Sequence, residues 1–360
     1  MNVKKCLVFS ILMFVLAVCQ GQNSRNSEVS IKGEQFFVNH SITYKDRYWN
    51  GNKIEGLLFN SRMVQGVFDD SNPETRKGFV YPDTKTWDAE RNTREFVAAM
   101  PSWKAHGLLA FTLNLQGGSP IGYGNKDWMN SAFDAKGNLK PDYINRLERI
   151  LDKADELNMV VILGYFYFGQ DEVLENETAV INAVDNITNW IVSKGYKNIL
   201  IEINNECDIK YDHAILNPER VDELIKRVQK LSNHSLLVST SFKGNKLPTD
   251  NVIASSDFVL LHGNGIKDPE RIKILVDEVR QSEAYTPKPI VYNEDDHYDF
   301  DKDSYNLKYA VESYASWGYF DFRRKDEPFE EGFQTVPVNW EISSKRKKAF
   351  FEKIKEITAY

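Results

Sequence analysis

The chain has 360 residues, 42% of them hydrophobic and 27% charged, the proportions of a folded protein and not of a disordered or fibrous one. Its 45 basic and 52 acidic residues give a formal charge of −7, which argues against a nucleic-acid binder, because such proteins carry a basic surplus. An anionic ligand held by a local arginine cluster stays open.

The chain begins with a targeting pattern. Lys4 and Lys5 precede an apolar run, residues 6–18, and then Cys19, Gln20, Gly21 and the polar stretch QNSRNSE. This reads as a secretory signal peptide over residues 1–21. The run is 13 residues long, and a membrane-spanning helix needs about 20, so no transmembrane segment is expected. The expected location is secreted or periplasmic. The alternative is a lipoprotein anchored through Cys19, although Val18 stands where such signals resemble a small residue. Without the leader, Cys207 is the one remaining cysteine, so no internal disulfide is expected. Asn39, Asn176, Asn186 and Asn233 each head a glycosylation-acceptor triplet, whose meaning depends on the host.

A β-rich N-terminal extension (22–62) comes next, expected to pack on a barrel formed by residues 63–360. The predicted strands are 63–68 (MVQGVF), 108–115, 159–168, 198–205, 236–242, 258–264, 289–294 and the weaker 319–322 (YFDF). Helical patterns separate them at 93–107, 141–158, 177–195, 217–233, 268–284 and 304–318, and a last one follows at 343–358. Pro141, Pro218 and Pro269 sit near first turns, and Gly107, Gly195 and Gly318 follow helices where a left-handed residue is wanted. The helix after the fifth strand is unconvincing, because 249–257 (TDNVIASSD) is short.

Continuous apolar strands alternating with helices imply a parallel sheet covered on both faces. Eight repeats fit an α/β fold, the (β/α)8 TIM barrel. A doubly wound open sheet is the alternative, but no G-x-G-x-x-G follows a strand.

In a barrel the functional groups lie at the carboxyl ends of the strands. Those ends offer Asn114 after strand two, Tyr165 and Tyr167 after strand three, and Asn205 and Glu206 after strand four. His262 and Asn264 end strand six, Asn293 and Glu294 strand seven, and Arg323 and Arg324 follow strand eight. A carboxylate closing a buried apolar run is costly unless it is hydrogen-bonded or functional. Two such groups facing each other across a barrel mouth suit glycosidic bond cleavage.

At this point the sequence resembles the clan A retaining glycoside hydrolases. IEINNEC (201–207) is similar to their strand-four motif and PIVYNEDD (289–296) to their strand-seven motif. The resemblance implies Glu206 as catalytic acid/base, Glu294 as catalytic nucleophile, Asn205 on the sugar's 2-hydroxyl and His262 beside them. It also implies a raised pKa for Glu206 and an ionised Glu294. Glu202 matches an inward-facing glutamate of cellulase-like members. The sequence departs from the pattern at Cys207, where many members have proline. Asn114 stands where an arginine is frequent and Asn264 where a tyrosine orients the nucleophile, and no tryptophan ends strand eight. These departures leave the individual family open.

The substrate implied is a poly- or oligosaccharide. Tyr165, Tyr167 and Trp128 are candidate sugar-stacking residues, although alternation sends half the strand-three aromatics toward the helices. Arg323 is a candidate for a uronate or sulfate, against a solvated basic loop. Asp299, Asp301 and Asp303 lack the glycine and closing glutamate of a calcium loop, and no H-x-H or H-E-x-x-H occurs, so no metal and no cofactor are expected. The competing readings are a carbohydrate-binding barrel without turnover, a polysaccharide lyase and a metal-dependent hydrolase.

Overall fold

The computed structural model describes residues 25–123 and 127–359. The segment read as a signal peptide, with Cys19, lies outside them.

Three antiparallel strands, Val29–Lys32, Gln35–Val38 and Ser41–Ile42, and a hairpin of Tyr48–Trp49 with Asn52–Lys53 form the N-terminal extension. Its anchors show where it sits. The Val29 N–H donates to the Lys197 carbonyl at 2.9 Å, the Tyr44 hydroxyl to the Gly107 carbonyl at 2.9 Å, and the Ser27 hydroxyl to Asn158 at 2.8 Å. Each acceptor lies shortly before a barrel strand. The extension therefore caps the amino ends of the strands and leaves the carboxyl ends clear.

Eight parallel strands follow, numbered here in barrel order: one (Asn60–Arg62), two (Ala110–Asn114), three (Val160–Tyr167), four (Ile199–Asn205), five (Leu237–Ser239), six (Val259–His262), seven (Ile290–Glu294) and eight (Gly318–Tyr319). Strands eight, one, two, three, four and five form a continuous parallel ladder, and six pairs with seven. Two local junctions close the ring. The Asp257 N–H donates to the Val238 carbonyl at 2.9 Å and the Val238 N–H returns to the Asp257 carboxylate at 2.8 Å, joining five to six. Bridges from Val291 to Ser316 and from Asp295 to Tyr319 join seven to eight. Each strand leads to a helix: Ala89–Ala105, Pro141–Leu157, Glu177–Lys194, Val221–Leu231, Asp250–Ser255, Glu270–Gln281, Asn306–Glu312 and Lys345–Thr358. The fold is a (β/α)8 barrel.

Three local expectations change. Strand one is Asn60–Arg62 and not 63–68, because its residues are polar yet fully buried, so apolar patterning passes over them. The unconvincing fifth helix forms as Asp250–Ser255, and buried Lys288 donates to the carbonyls of Ile253 and Ser256 at 2.9 and 2.6 Å at its end. Gly318 is no helix cap. It opens strand eight, where a Cβ would lie 2.2 Å from Asn60 Oδ1.

Asp295, directly after strand seven, ties the last two strands to their helix. Its buried carboxylate accepts from Trp317 Nε1 at 2.8 Å, from Asn306 Nδ2 and from His297 Nδ1 at 2.9 Å. Burial pushes this carboxyl up, and the hydrogen bonds from His297, Trp317 and Asn306 oppose that push. Hydrogen bonds to Asp295 and Asp296 raise the half-buried His297 from 6.5 to about 10. A raised folded-state pKa gives stability that is complete below about 6.5 and is lost as the pH rises through about 10. The melting temperature of the wild type should therefore fall more steeply between pH 7 and 10 than that of His297→Gln. Parallel curves would refute the pairing.

Candidate active site

Strand four is buried along its whole length and delivers Glu206 to the mouth in the residue after its end. Strand seven, equally buried, delivers Glu294 as its last residue. Glu206 Oε1 lies 3.0 Å from His262 Nδ1, and the same nitrogen is 3.7 Å from Glu294 Oε2. One oxygen of each carboxylate and a His262 ring nitrogen all fall within 4.8 Å of one another.

Glu294 is the more tightly held acid. Arg62 Nε forms an ion pair with Oε2 at 2.9 Å, and Asn264 Nδ2 donates to Oε1 at 2.5 Å. Arg62 and His262 are each 1% exposed, Glu294 5% and Glu206 9%, so Glu206 is the acid nearer to solvent. Burial pushes the Glu294 carboxyl up, the positive charges of Arg62 and His262 oppose this, and Glu206 adds to it. The resemblance implied a Glu294 held ionised, and burial of the carboxyl is what works against that. Two acids this close ionise together only at a cost, and both Arg62 and Asn264 favour placing the charge on Glu294. Burial lowers the His262 ring, but Glu294 and Glu206 outweigh it and leave the ring raised.

Unpaired polar atoms surround this pair. Both amide atoms of Asn205 and both of Asn114 are buried without partners. Asn114 fits inside the barrel because Gly164 faces it; a Cβ there would lie 2.3 Å from Asn114 Oδ1. Buried polar atoms without partners are costly unless a ligand completes them. The Glu206, His262 and Glu294 donors are also spaced as cation ligands would be. Arg62, already on Glu294, supplies the positive charge that a cation would bring, so the set fits an acid pair better. In the Asp295, Asp296 and His297 group, the histidine nitrogen within reach of both acids is engaged by them.

Solved structures share this architecture. An endo-1,4-beta-mannanase from Rhizomucor miehei is similar over 92% of this chain and 99% of its own, at 12% identity and a TM-score of 0.52. A glycoside hydrolase family 5 mannosidase from the same organism matches 93% of this chain and 98% of its own, at 11% identity and 0.55. A family 5 glycoside hydrolase from Bacteroides vulgatus covers 92% and 70%, at 14% identity and 0.56. These likenesses establish the barrel. No family model matches the sequence, and no curated protein does.

The remaining candidates divide around the barrel mouth. Tyr167 belongs to it: its hydroxyl pairs with Ser119 at 2.9 Å, and Arg62, Glu294 and Glu206 all act on it electrostatically. Tyr165 does not. It lies on the opposite face of strand three from Gly164, fully buried, with its hydroxyl 3.2 Å from Thr188 on the following helix. Trp128 is no open platform either; it is 4% exposed and packs with Phe68, Phe79 and Val336 in a small satellite core. Asn293 turns below the mouth and donates to Glu202 Oε2 at 3.3 Å. Arg323 is half-buried, donates to the Pro337 carbonyl at 3.3 Å and lies over the Phe329 ring.

Sequence reading missed Arg62. The available signal was a lone arginine inside the apolar stretch LLFNSRMVQGVF, where a buried charge demands a partner. It meets Glu294 from strand one, whereas the resemblance implies an arginine on strand two. Asn264 makes the contact on Glu294 that the resemblance gave to a tyrosine.

Proposed function

We propose that the chain is a secreted glycoside hydrolase that cleaves a poly- or oligosaccharide with retention of anomeric configuration. The observation that carries this is the Glu206–Glu294 pair, whose nearest oxygens lie within 4.8 Å. Retaining enzymes hold their carboxyl groups roughly 5–5.5 Å apart, whereas inverting enzymes leave room for a water. In the first step Glu294 attacks C1 while Glu206 gives a proton to the leaving oxygen. In the second, Glu206 takes a proton from water, which attacks C1 and displaces Glu294. Arg62 and Asn264 keep Glu294 charged and aimed. Asn205, Asn114 and Tyr167 are the sugar-binding candidates, with His262 orienting Glu206. Export rests on the N-terminal sequence alone, with the Cys19-anchored lipoprotein as its alternative. Among the described residues, no helix is long and apolar enough to cross a membrane.

The test is a screen of the purified protein against aryl glycosides and polysaccharides, with β-1,4-mannan included because a structural neighbour is a mannanase. Reducing ends should appear, and the first product seen by NMR should keep the substrate's anomeric configuration. An inverted first product would exclude double displacement. Ultraviolet-absorbing unsaturated products would mean a lyase, and binding without release would mean a barrel that has no turnover.

A further inference from the structure

Glu206 has a backbone φ of 51°, in the left-handed region that side-chain-bearing residues rarely adopt. Asn39, His40 and Asn50 share that sign but lie in exposed turns, whereas Glu206 is buried in the barrel mouth. A strained residue persists only where its surroundings over-determine it. The Ile209 N–H donates to the Glu206 carbonyl at 2.9 Å and the Tyr211 hydroxyl to the Asn205 carbonyl at 2.5 Å, and one further residue holds the amide side of the turn. The Glu206 N–H donates to Ser241 Oγ at 2.9 Å, and the next N–H, of Cys207, donates to the Ser241 carbonyl at 2.9 Å. Ser241 follows strand five and grips two successive amides of the turn that carries Glu206.

The hydroxyl has a defined polarity. Its proton goes to Glu202 Oε1 at 2.5 Å, and a carboxylate there only accepts, so the oxygen's lone pair faces the Glu206 N–H. Glu202 in turn accepts from Asn293, the residue before Glu294, through Oε2. Ser241, Glu202, Asn293 and Cys207 are all fully buried, so bulk water does not compete for these bonds.

We infer that Ser241 is a positioning residue: with Glu202 behind it, it holds the left-handed turn that points the Glu206 carboxyl at the leaving group. The consequence for catalysis rests on the glycosidase reading; the consequence for geometry does not. Ser241 acts on the mouth through the backbone of the Glu206 turn, so its loss should act on kcat and leave KM alone. A misplacement of about 1 Å can cost about 100-fold.

Ser241→Ala should lower kcat by about 10- to 100-fold on glycosides with poor leaving groups, with KM within about twofold of wild type. On a dinitrophenyl glycoside, whose departure needs no proton, the loss in kcat/KM, which reports formation of the glycosyl-enzyme, should be several-fold smaller. An equal loss on both substrates, or a rise in KM alone, would overturn the positioning role. A crystal structure of the variant decides the geometry without any turnover: Glu206 should leave the left-handed region or swing its carboxyl away. An unmoved Glu206 would overturn the inference. Ser241→Cys, close in volume but with a weakly hydrogen-bonding thiol, replaces the alanine variant if that one does not fold. A wild type inert on every glycoside would end the glycosidase reading, and the crystal structure would then decide this inference by itself.

Discussion

Replacing Glu294 by glutamine should reduce turnover of every substrate to below about 0.1% of wild type, whatever the leaving group. The amide keeps the volume of the carboxylate and can still meet Asn264 and Arg62, so the barrel mouth should survive. What it lacks is the negative charge that attacks C1. Because attack precedes everything else, no improvement of the leaving group compensates, and the deficit should be equal for dinitrophenyl and alkyl glycosides. Arg62 sharpens this expectation. It is 1% exposed and lies 2.9 Å from Glu294 Oε2, so the protein places a buried permanent cation on one particular acid of the pair. Steady-state rates of wild type and variant on one substrate series are the measurement, beside a thermal melt to show that the variant is folded. Near wild-type rates would remove Glu294 from the reaction.

The parts of this site that the sequence displayed share one physical property. Strands four and seven open on apolar residues and are buried along their whole length, so the Asn-Glu that closes each stands out against what precedes it. Period and composition therefore located Glu206 and Glu294 at the mouth. Strand one failed for the opposite reason. Asn60, Ser61 and Arg62 are as buried as any apolar strand, but their polar atoms serve the barrel interior, so hydrophobicity says nothing about them. Tyr165 and Tyr167 are two residues apart, so alternation assigns them to one face, yet the Tyr165 hydroxyl meets Thr188 on the following helix while the Tyr167 hydroxyl, at the end of the strand, meets Ser119. Trp128 depended on how a loop folds back, which local pattern does not encode. Ser241 lay in plain view within LLVSTSF, yet its importance comes from a bond to the backbone of a residue 35 positions away.

Glu206→Ala should behave differently from the Glu294 variant, and the difference identifies the two roles. On glycosides with poor leaving groups its rate should fall by roughly 10²- to 10⁴-fold, the usual worth of general acid catalysis. On a dinitrophenyl glycoside, bond cleavage needs no proton, so the glycosyl-enzyme should form and accumulate, since water now lacks a base. Azide should then restore turnover. It attacks C1, the C1–N bond forms as the C1–oxygen bond to Glu294 breaks, and the product is a glycosyl azide with the anomeric configuration of the substrate. The site favours this rescue. Glu206 is the more exposed acid, so alanine opens space on the solvent side, and His262, 3.0 Å from the lost carboxylate, remains to attract a small anion. Azide should do nothing for Glu294→Gln, which forms no such intermediate. An azide product of inverted configuration from Glu206→Ala, or equal rescue of both variants, would show that the two acids do not divide the chemistry in this way.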